Sequence, residues 1–371
     1  MSVSIKEVSN NTELNRFIKI PWRIYENYPN WVPPLIIDQK FKFNTKKNPF
    51  FKHSEAKLYI AEKNGSLAGR IAAIINNNHN RIHEENIGFF GFFESINDRE
   101  VSDSLFNVAA EYLKSKGLTA MRGPANFSSN DDWGLLVDAF DKPPVVMMSY
   151  NPAYYLDLIE GFGFKKKIDL YAYWMHQSQM TDRLMKAAEA MKKRTRIHIR
   201  KLNMKDFWGD VTLIKSVYNS AWLKNWGFIP MTDSEFNHTA KDMKLIVDPD
   251  LALIAEYEGK PIGFSLALPD INQALIRLNG RLFPFGLLKL LYYKRKIHSV
   301  RVLTMGVVEE FRNRGIDLIF YYETFKNGTA KGYDSGEFSW MLETNDAMNR
   351  MAKNMGSEVY KRYRLYDFNF A

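Results

Sequence analysis

The chain has 371 residues, more than one hydrophobic core usually serves, so two domains are expected. It contains no cysteine, which excludes disulfides and cysteine-ligated metals, and its seven histidines show no metal-ligand spacing, so metal-free chemistry is expected. The net charge of +9 favours an anionic partner: a phosphorylated cofactor, nucleic acid or a membrane surface. No apolar run approaches the roughly 18 residues that span a bilayer, and the first residues lack a secretory signal, so the protein is expected in the cytoplasm.

Two similar hairpins are the first sign of an internal duplication. Residues 60–69 and 254–263 share the pattern I-A-E-x-x-G-x-x-x-G. Each copy predicts two antiparallel strands, joined at Asn64-Gly65 in the first and at Glu258-Gly259 in the second.

The elements after each hairpin follow the same order: strand, amphipathic helix, strand, short helix, strand. The predicted ranges are 87–93, 101–116, 118–122, 153–161 and 164–174 in the first half, and 300–308, 315–331, 336–342, 347–355 and 359–370 in the second. Hairpins join antiparallel strands and strand-helix-strand steps join parallel ones. The predicted fold is therefore α/β, with two units that each have a mixed sheet covered by helices in three αβα layers.

A basic segment separates the two halves. The spacing of apolar residues between Thr181 and Met204 predicts a helix that runs into a basic connector. Nine Lys or Arg stand between Arg183 and Lys205 against the single acid Glu189, which is typical of a solvated helix face, with nucleic acid or lipid headgroups as alternatives. The predicted domains are 1–180, the connector 181–204, and 205–371.

A turn with Arg and Gly residues occurs where a predicted strand meets a long helix. Residues 312–317 read Arg-Asn-Arg-Gly-Ile-Asp. Such a turn directs backbone N–H groups and the positive end of the helix dipole at one point, which suits a diphosphate. Gly315 would let the phosphate approach the backbone, and Arg312 and Arg314 would add charge. The alternative is an ordinary strand-to-helix turn with exposed arginines.

The order of hairpin, strand, R-x-x-G turn, helix, strand and asparagine-led helix resembles the GNAT superfamily of acyl-CoA N-acyltransferases. The resemblance covers most of 205–371 and, more faintly, 1–180, so the chain looks like a tandem GNAT with a degenerate first unit. It implies an acyl-CoA donor, acetyl-CoA or a longer one, without a metal. The residues that it implies for cofactor binding are Gly306, Val307, Val308, Arg312, Asn313, Arg314, Gly315, Ile316, Asp317 and Asn345.

Two positions depart from the family pattern and shift the catalytic prediction. The last Gly or Ala of the turn is Asp317, whose carboxylate would compete with phosphate unless it points away. The Tyr that often follows the asparagine by seven residues is Ala352. The resemblance also implies that a strand N–H near Val307 or Val308 binds the oxyanion. The nearest candidates for the general acid are Tyr360 and Tyr363, and Glu343 is the predicted base, with Glu309 and Glu310 as alternatives.

The first half lacks the phosphate turn. The strand 87–93 leads into Glu94-Ser-Ile-Asn-Asp98, without Arg or Gly, so this unit is predicted not to bind coenzyme A. Its loop 122–134 is polar and rich in turn residues. This composition indicates either acceptor recognition or self-capping, in which Asn, Asp and Ser side chains bind the backbone of the loop itself. Under the first interpretation Asn126, Asp131 and Trp133 contact the amine-bearing acceptor.

An insert at 281–296 reads as an apolar helix with a basic end. It could lie on a membrane as a peripheral contact, cover a long acyl chain, or pack against the partner domain.

The leading functional prediction is an N-acyltransferase that moves an acyl group, foremost acetyl, from acyl-CoA to the amine of a small molecule or amino acid. One alternative is a non-catalytic acyl-CoA binder or sensor. Another is a transferase like the tandem Fem-type enzymes, which take their donor from tRNA, since the basic segment would suit RNA phosphates. The Arg312 to Gly315 turn argues against that alternative, so nucleic acid is not the expected partner.

Overall fold

The computed structural model describes residues 2–222 and 225–370. The chain forms two compact units. Unit 1 comprises Met1–Leu170, Leu275–Leu290 and Lys361–Ala371, and unit 2 comprises Tyr171–Ala274 and Leu291–Tyr360. The predicted ranges 1–180, 181–204 and 205–371 are consecutive in sequence. Unit 1, in contrast, is built from three separate segments of the chain, and unit 2 from two.

Unit 1 is built on a mixed sheet in the order β1-β2-β3-β4-β5. Only the pairing of β4 with β5 is parallel among these strands. The strands are β1 Val3–Glu7, β2 Glu55–Lys63, β3 Ser66–Ile75, β4 Ile87–Ser95, β5 Ala120–Gly123 and β6 Leu135–Leu136. The helices are α1 Asn11–Ile24, α2 Ile36–Lys42, α3 Asn77–His83, α4 Arg99–Ser115 and α5 Tyr155–Phe162, with a 3-10 turn at Pro49–Lys52.

In unit 2 the hydrogen-bonded strands run in the order β12-β11-β10-β9-β8, again with parallel and antiparallel pairs. The later strands are β7 Lys165–His176, β8 His198–Lys201, β9 Ala252–Tyr257, β10 Lys260–Pro269, β11 Ser299–Val307, β12 Ser335–Leu342 and β13 Glu358–Asn369. The later helices are α6 Asp182–Arg194, α7 Phe207–Ala221, α8 Asp233–Met243, α9 Asn272–Leu275, α10 Gly286–Lys294, α11 Ile316–Ala330 and α12 Asp346–Asn354. Further 3-10 turns lie at Gln177–Gln179, Met204–Asp206, Pro249–Leu251 and Glu309–Phe311.

The duplicated hairpins are confirmed, and their turns have the same conformation. Asn64 and Gly65 have φ of 54° and 76°, and Glu258 and Gly259 have φ of 50° and 75°. Two consecutive residues with positive φ form the turn that matches the twist of antiparallel strands. Each hairpin is followed by a parallel strand pair, β4 with β5 and β11 with β12, so the predicted mixed sheets are confirmed.

The basic connector contains a strand that the sequence did not predict. Residues 198–201 form β8, which pairs antiparallel with β9. The guanidinium of Arg200 binds Asp210 at 2.6 Å and Glu256 at 2.7 Å, and Lys201 Nζ lies 2.7 Å from Asp250. These are two of the nine basic side chains of this segment, and both are therefore paired with carboxylates within unit 2.

A buried arginine joins two segments of unit 1 that are distant in sequence. Arg122 on β5 has a side chain that is 4% exposed, and it lies 2.8 Å from Glu85 and 2.7 Å from Asp367 on β13. Glu85 also lies 2.7 Å from His79 Nε2. Burial raises the pKa of Glu85, but the hydrogen bonds from His79 and Arg122 outweigh it and lower the pKa to about 2.

The lowered pKa predicts how the stability of unit 1 depends on pH. Since the ordinary pKa is 4.5, ionised Glu85 stabilises the fold above that pH, and the stabilisation is lost as pH falls towards about 2. Glu85→Gln should lower the free energy of unfolding at pH 7 by about 1–2 kcal/mol, allowing for a side chain that is 31% exposed to solvent. Urea unfolding should show a smaller difference between variant and wild type at about pH 3. The exposed neighbour Glu84→Gln is the control, and an equal deficit at both pH values would refute the assignment.

Candidate active site

The Arg- and Gly-containing turn lies in unit 2, where β11 leads into α11. Helix α11 begins at Ile316, and its N-cap is Gly315, with φ 75° and ψ 16°. Among the described residues no side chain makes a capping hydrogen bond there. The first amides of a helix have no acceptor within the helix, and the dipole makes this end positive, so the turn has the properties of an anion-binding site.

The two arginines of the turn differ in what they contact. Arg312 donates hydrogen bonds to the carbonyl of Ala221 at 2.6 Å and to that of Val307 at 3.3 Å, so it ties the end of α7 to the end of β11. The guanidinium of Arg314 stacks on the ring of Phe311 at 4.7 Å. Arg312 therefore positions the turn, whereas Arg314 is the better placed of the two to offer its charge to an anion.

Glycine at position 315 is favoured both by its backbone and by its neighbours. Its φ of 75° lies in the left-handed region, which glycine adopts without cost. A Cβ built there would lie 2.8 Å from Met191 Cε on α6. The same two helices are joined by an ion pair, Lys192 Nζ to Glu323 at 2.6 Å. Helix α6 thus covers one side of the turn.

Strands β11 and β12 separate beyond the middle of their length. Their parallel register runs from Ser299–Ser335 to Val302–Phe338, yet β11 continues to Val307 and β12 to Leu342. The unpaired stretches leave a gap between neighbouring strands next to the start of α11. The two strands are therefore hydrogen-bonded to each other only over their first halves.

The register of β11 with β10 determines which of its amides face that gap. The N–H of Val308 donates to the carbonyl of Ile262 at 2.9 Å, so it is not available to an oxyanion, contrary to one of the two predictions for this group. In an antiparallel ladder the amides of alternate residues point to opposite sides. Because the register Gly263–Val307 is regular here, the amides of Val307 and Met305 point away from β10 and towards the gap.

A buried polar network that was not predicted from the sequence lies where the pairing of the two strands ends. Arg301 on β11 and Glu337 on β12 are partners in register and are 2% and 0% exposed. Arg301 Nε donates to Ser339 Oγ at 2.9 Å, and Ser339 Oγ donates to the carboxylate of Glu337. Tyr360 also donates its phenol hydrogen to Glu337. The predicted general acid Tyr360 therefore donates a hydrogen bond to a buried carboxylate within unit 2.

The carboxyl end of β12 carries the predicted Asn345 and Glu343. Asn345 is the N-cap of α12, and its side-chain oxygen accepts from the amide of Met348 at 3.2 Å. Glu343 is half-buried just before it. Asn349, which was not predicted, donates to the carbonyl of Leu342 at 2.9 Å and accepts from Tyr173 at 3.1 Å, so it fixes this strand end.

Tyr363, the other predicted acid, belongs to unit 1. Its side chain is 0% exposed, and it is in register with Leu136 of β6. It therefore lies with the core of unit 1, and the structure does not group it with the unit 2 residues.

The corresponding gap in unit 1 is filled by the chain itself. After the parallel pairing ends at Phe89–Arg122, the amide of Ala125 donates to the carbonyl of Phe90 at 2.8 Å. A Cβ on Gly91 would lie 1.9 Å from the carbonyl oxygen of Ala125, so the contact is close. Unit 1 therefore has no open space between these strands for a cofactor arm, in addition to lacking the phosphate turn.

The predicted acceptor residues form the loop that fills this gap. The side-chain oxygen of Asn126 accepts from the amide of Phe92 at 2.7 Å. Asp131 accepts from Ser128 Oγ at 3.1 Å and lies 3.6 Å from Lys42 Nζ. Trp133 is 3% exposed. These contacts support the self-capping interpretation of the loop, and acceptor binding there stays a prediction.

No group of three or more His, Asp or Glu is arranged to hold a metal ion within residues 2–222 and 225–370.

Comparison with solved structures identifies the fold. A tandem GNAT protein from the clavulanic acid biosynthesis pathway aligns over 99% of this chain and 98% of its own, with a TM-score of 0.58 and 8% identity. The GCN5-related glucosamine N-acetyltransferase region of a fungal multi-domain GH3 β-N-acetylglucosaminidase aligns over 99% of this chain and 38% of that one, with a TM-score of 0.57 and 14% identity. The chain has the tandem GNAT fold, as its sequence predicted.

Two curated proteins are similar over nearly the whole sequence, although no family model matches it. Protein YghO of Escherichia coli (strain K12) is 36% identical over 371 residues, covering 98% of this chain and 94% of YghO. Bacterial ceramide synthase of Caulobacter vibrioides (strain NA1000 / CB15N) is 36% identical over 375 residues, covering 98% and 97%. The chain belongs to the family of these two proteins.

Proposed function

We propose that this protein is an acyl-CoA-dependent N-acyltransferase, with the donor bound in unit 2 and a long-chain base as the acceptor. The observation that carries the proposal is the gap between β11 and β12 beside the open N-terminus of α11. The diphosphate of the donor would lie on the first amides of α11 near Arg314. Its pantetheine arm would follow residues 303–307 and use the amides of Met305 and Val307.

The choice of acceptor rests on the relative named bacterial ceramide synthase, since the similarity extends over 98% of this chain. A ceramide is the amide of a fatty acid and the amine of a long-chain base. The resemblance alone suggested acetyl-CoA with a small amine or amino acid, and that pair is the alternative that an assay must compare.

The residues of unit 2 supply the groups that the reaction needs. The amine nitrogen attacks the thioester carbon, a C–N bond forms, the C–S bond breaks, and coenzyme A leaves as a thiol. The amide of Val307 would bind the oxyanion. Glu343 would take the proton from the amine. Tyr360 would return a proton to the departing sulfur once its hydroxyl turns from Glu337 towards the thiolate.

An assay for released thiol tests this proposal directly. The chain has no cysteine, so a thiol reagent reports only the coenzyme A that is set free. We expect steady thiol release from palmitoyl-CoA with sphinganine, and mass spectrometry should detect the amide. Faster release from acetyl-CoA with amino acids would favour the small-acceptor alternative. Binding of palmitoyl-CoA without turnover of any pair would favour the non-catalytic binder.

The role of Glu343 has its own expected result. Glu343→Gln should lower kcat by about a hundredfold with little change in KM for the acyl-CoA, because a general base acts in the chemical step. Raising the pH should partly restore the rate, since more of a sphinganine-type amine is then deprotonated. The control is Glu358→Gln, an exposed glutamate at the start of β13. An unchanged kcat in Glu343→Gln would move the base elsewhere, with Glu309 and Glu310 as the next candidates.

A further inference from the structure

The segment 281–296 concentrates the exposed apolar side chains of the described part of the chain. Among the residues that the structure describes, ten large hydrophobic side chains are exposed, and six of them belong to this segment: Phe283, Phe285, Leu287, Leu288, Leu291 and Tyr292. Phe283 is 79% exposed and Leu288 is 65% exposed. These side chains do not pack into a core, so the packing alternative for this insert does not describe them.

Helix α10 within this segment turns its apolar side outwards. At about 3.6 residues per turn, Leu287, Leu288, Leu291 and Tyr292 fall on one continuous side of the helix, and all four are exposed. Gly286 and Tyr293, on the opposite side, are buried and half-buried. A helix on the surface of a globular protein normally has the reverse arrangement, with polar residues outside.

The charged side chains of the segment itself have a single sign. No Asp or Glu occurs between Asp270 and Glu309. The basic residues in the insert are Arg281, Lys289, Lys294, Arg295 and Lys296. Lys294 Nζ also reaches the carbonyl of Leu245 at 3.5 Å, and the Leu245 side chain is itself 76% exposed.

We propose that segment 281–296 docks this protein onto the surface of a membrane that contains anionic lipids. The leucines and phenylalanines would enter the interface between headgroups and acyl chains, and the lysines and arginines would bind lipid phosphates. The nine residues of α10 extend only about 14 Å, so the helix lies in the interface. Among the described residues no helix is long and apolar enough to cross a bilayer.

Charge argues for a lipid surface and against a second copy of the same chain. The protein carries a net charge of +9, and a second copy would present the same basic residues, which repel each other. A bilayer with anionic headgroups offers both an apolar layer and the opposite charge. The inference does not depend on the proposed reaction, because it rests on exposure and charge outside the candidate active site.

Vesicle flotation with the full chain tests the apolar contribution. Wild type should float with vesicles of phosphatidylcholine mixed with phosphatidylglycerol and should bind vesicles of phosphatidylcholine alone far more weakly. Leu288→Gln with Leu291→Gln should weaken binding by about a hundredfold, because each leucine leaves the interface. The control is Ile37→Gln on α2, since Ile37 is also 62% exposed. Equal binding of wild type and the double variant would overturn the proposal.

The basic contribution is tested by Lys294→Gln with Arg295→Gln and Lys296→Gln. Each charge near an anionic surface changes affinity by about fivefold, so the triple variant should bind about a hundredfold more weakly at low salt. The control removes three exposed lysines elsewhere, Lys40→Gln with Lys46→Gln and Lys47→Gln, and should bind within about fivefold of wild type. Equal loss in both triple variants would show a general charge effect and overturn the assignment to this segment.

Two further measurements separate this inference from its rivals and from the proposed function. Light scattering without vesicles should show the same mass for wild type and for the leucine variant. Dimers in wild type that the leucine variant lacks would show that the face binds a second copy instead. Thiol release from a detergent-dispersed donor and acceptor should be unchanged in the leucine variant, so a failed reaction and failed membrane binding are distinguishable.

Discussion

Gly315→Val is expected to weaken the binding of coenzyme A by at least about tenfold, because a β-branched residue strains the backbone at the start of α11. Glycine adopts the φ of 75° observed there, whereas valine does not readily do so. The added carbon would also press on Met191 Cε, which lies 2.8 Å from the ideal Cβ position. Both effects move the first amides of α11 out of the arrangement that a diphosphate requires. Isothermal titration with coenzyme A measures the loss.

Two matched variants separate this effect from general damage. Gly332 lies just after the other end of α11, with φ of 90° and no atom within 4 Å of an ideal Cβ. Gly332→Val therefore carries a similar backbone cost but should bind coenzyme A like wild type. Asparagine tolerates positive φ, so Gly315→Asn should retain more affinity than Gly315→Val. Full binding by Gly315→Val would place the diphosphate somewhere else.

Arg301→Met is expected to have the largest effect on stability, lowering the free energy of unfolding by about 3 kcal/mol. The guanidinium is 2% exposed and donates to both Ser339 Oγ and the Ser339 carbonyl, and Ser339 in turn donates to the fully buried Glu337. Without the arginine, a buried carboxylate loses the positive charge of its network. Urea unfolding followed by tryptophan fluorescence measures the change.

The control is Arg350→Met on α12, where the arginine is exposed, and it should change stability by less than about 0.5 kcal/mol. Combining Arg301→Met with Glu337→Gln should cost less than the sum of the two single changes, because the neutral amide needs no counter-charge. Strictly additive losses would show that the two residues do not interact through Ser339.

Local sequence predicted the parts of the site that are determined by consecutive residues. The turn at Asn64-Gly65 is specified by two residues that adopt positive φ readily, and its copy at Glu258-Gly259 keeps the glycine. The start of α11 was likewise predicted at Gly315, and the structure places the helix one residue later, at Ile316. Such features depend on backbone preferences of neighbouring residues, which a single sequence records.

Contacts between distant segments were not predicted. Arg301 and Glu337 meet only because β11 and β12 pair in one particular register. A sign was present, since Arg301 stands between Val300 and Val302 in an otherwise apolar strand, and a charge in that position needs a buried partner.

The direction of the β11 amides and the filling of the gap in unit 1 also depend on contacts between distant segments, so the sequence did not predict them. The hydrogen bond of Val308 to Ile262 depends on how β10 lies beside β11, and no local pattern records it. The contact of Ala125 with Gly91 depends on the path of a loop after β5. The composition of that loop predicted its turns but not the strand against which it packs.

Strand β13 lies at the end of the sequence but pairs with a strand of unit 1, and this affects the order in which the protein can fold during synthesis. Strand β5 pairs with β13 through Gly123–Tyr366 and Ala120–Asn369, and residues 361–371 belong to unit 1. A ribosome makes β5 early, yet its partner emerges only after all of unit 2 has been translated. Unit 1 therefore begins to fold first and completes its sheet last. If translation is stalled after β5 but before β13, proteases should still cut the nascent chain within unit 1.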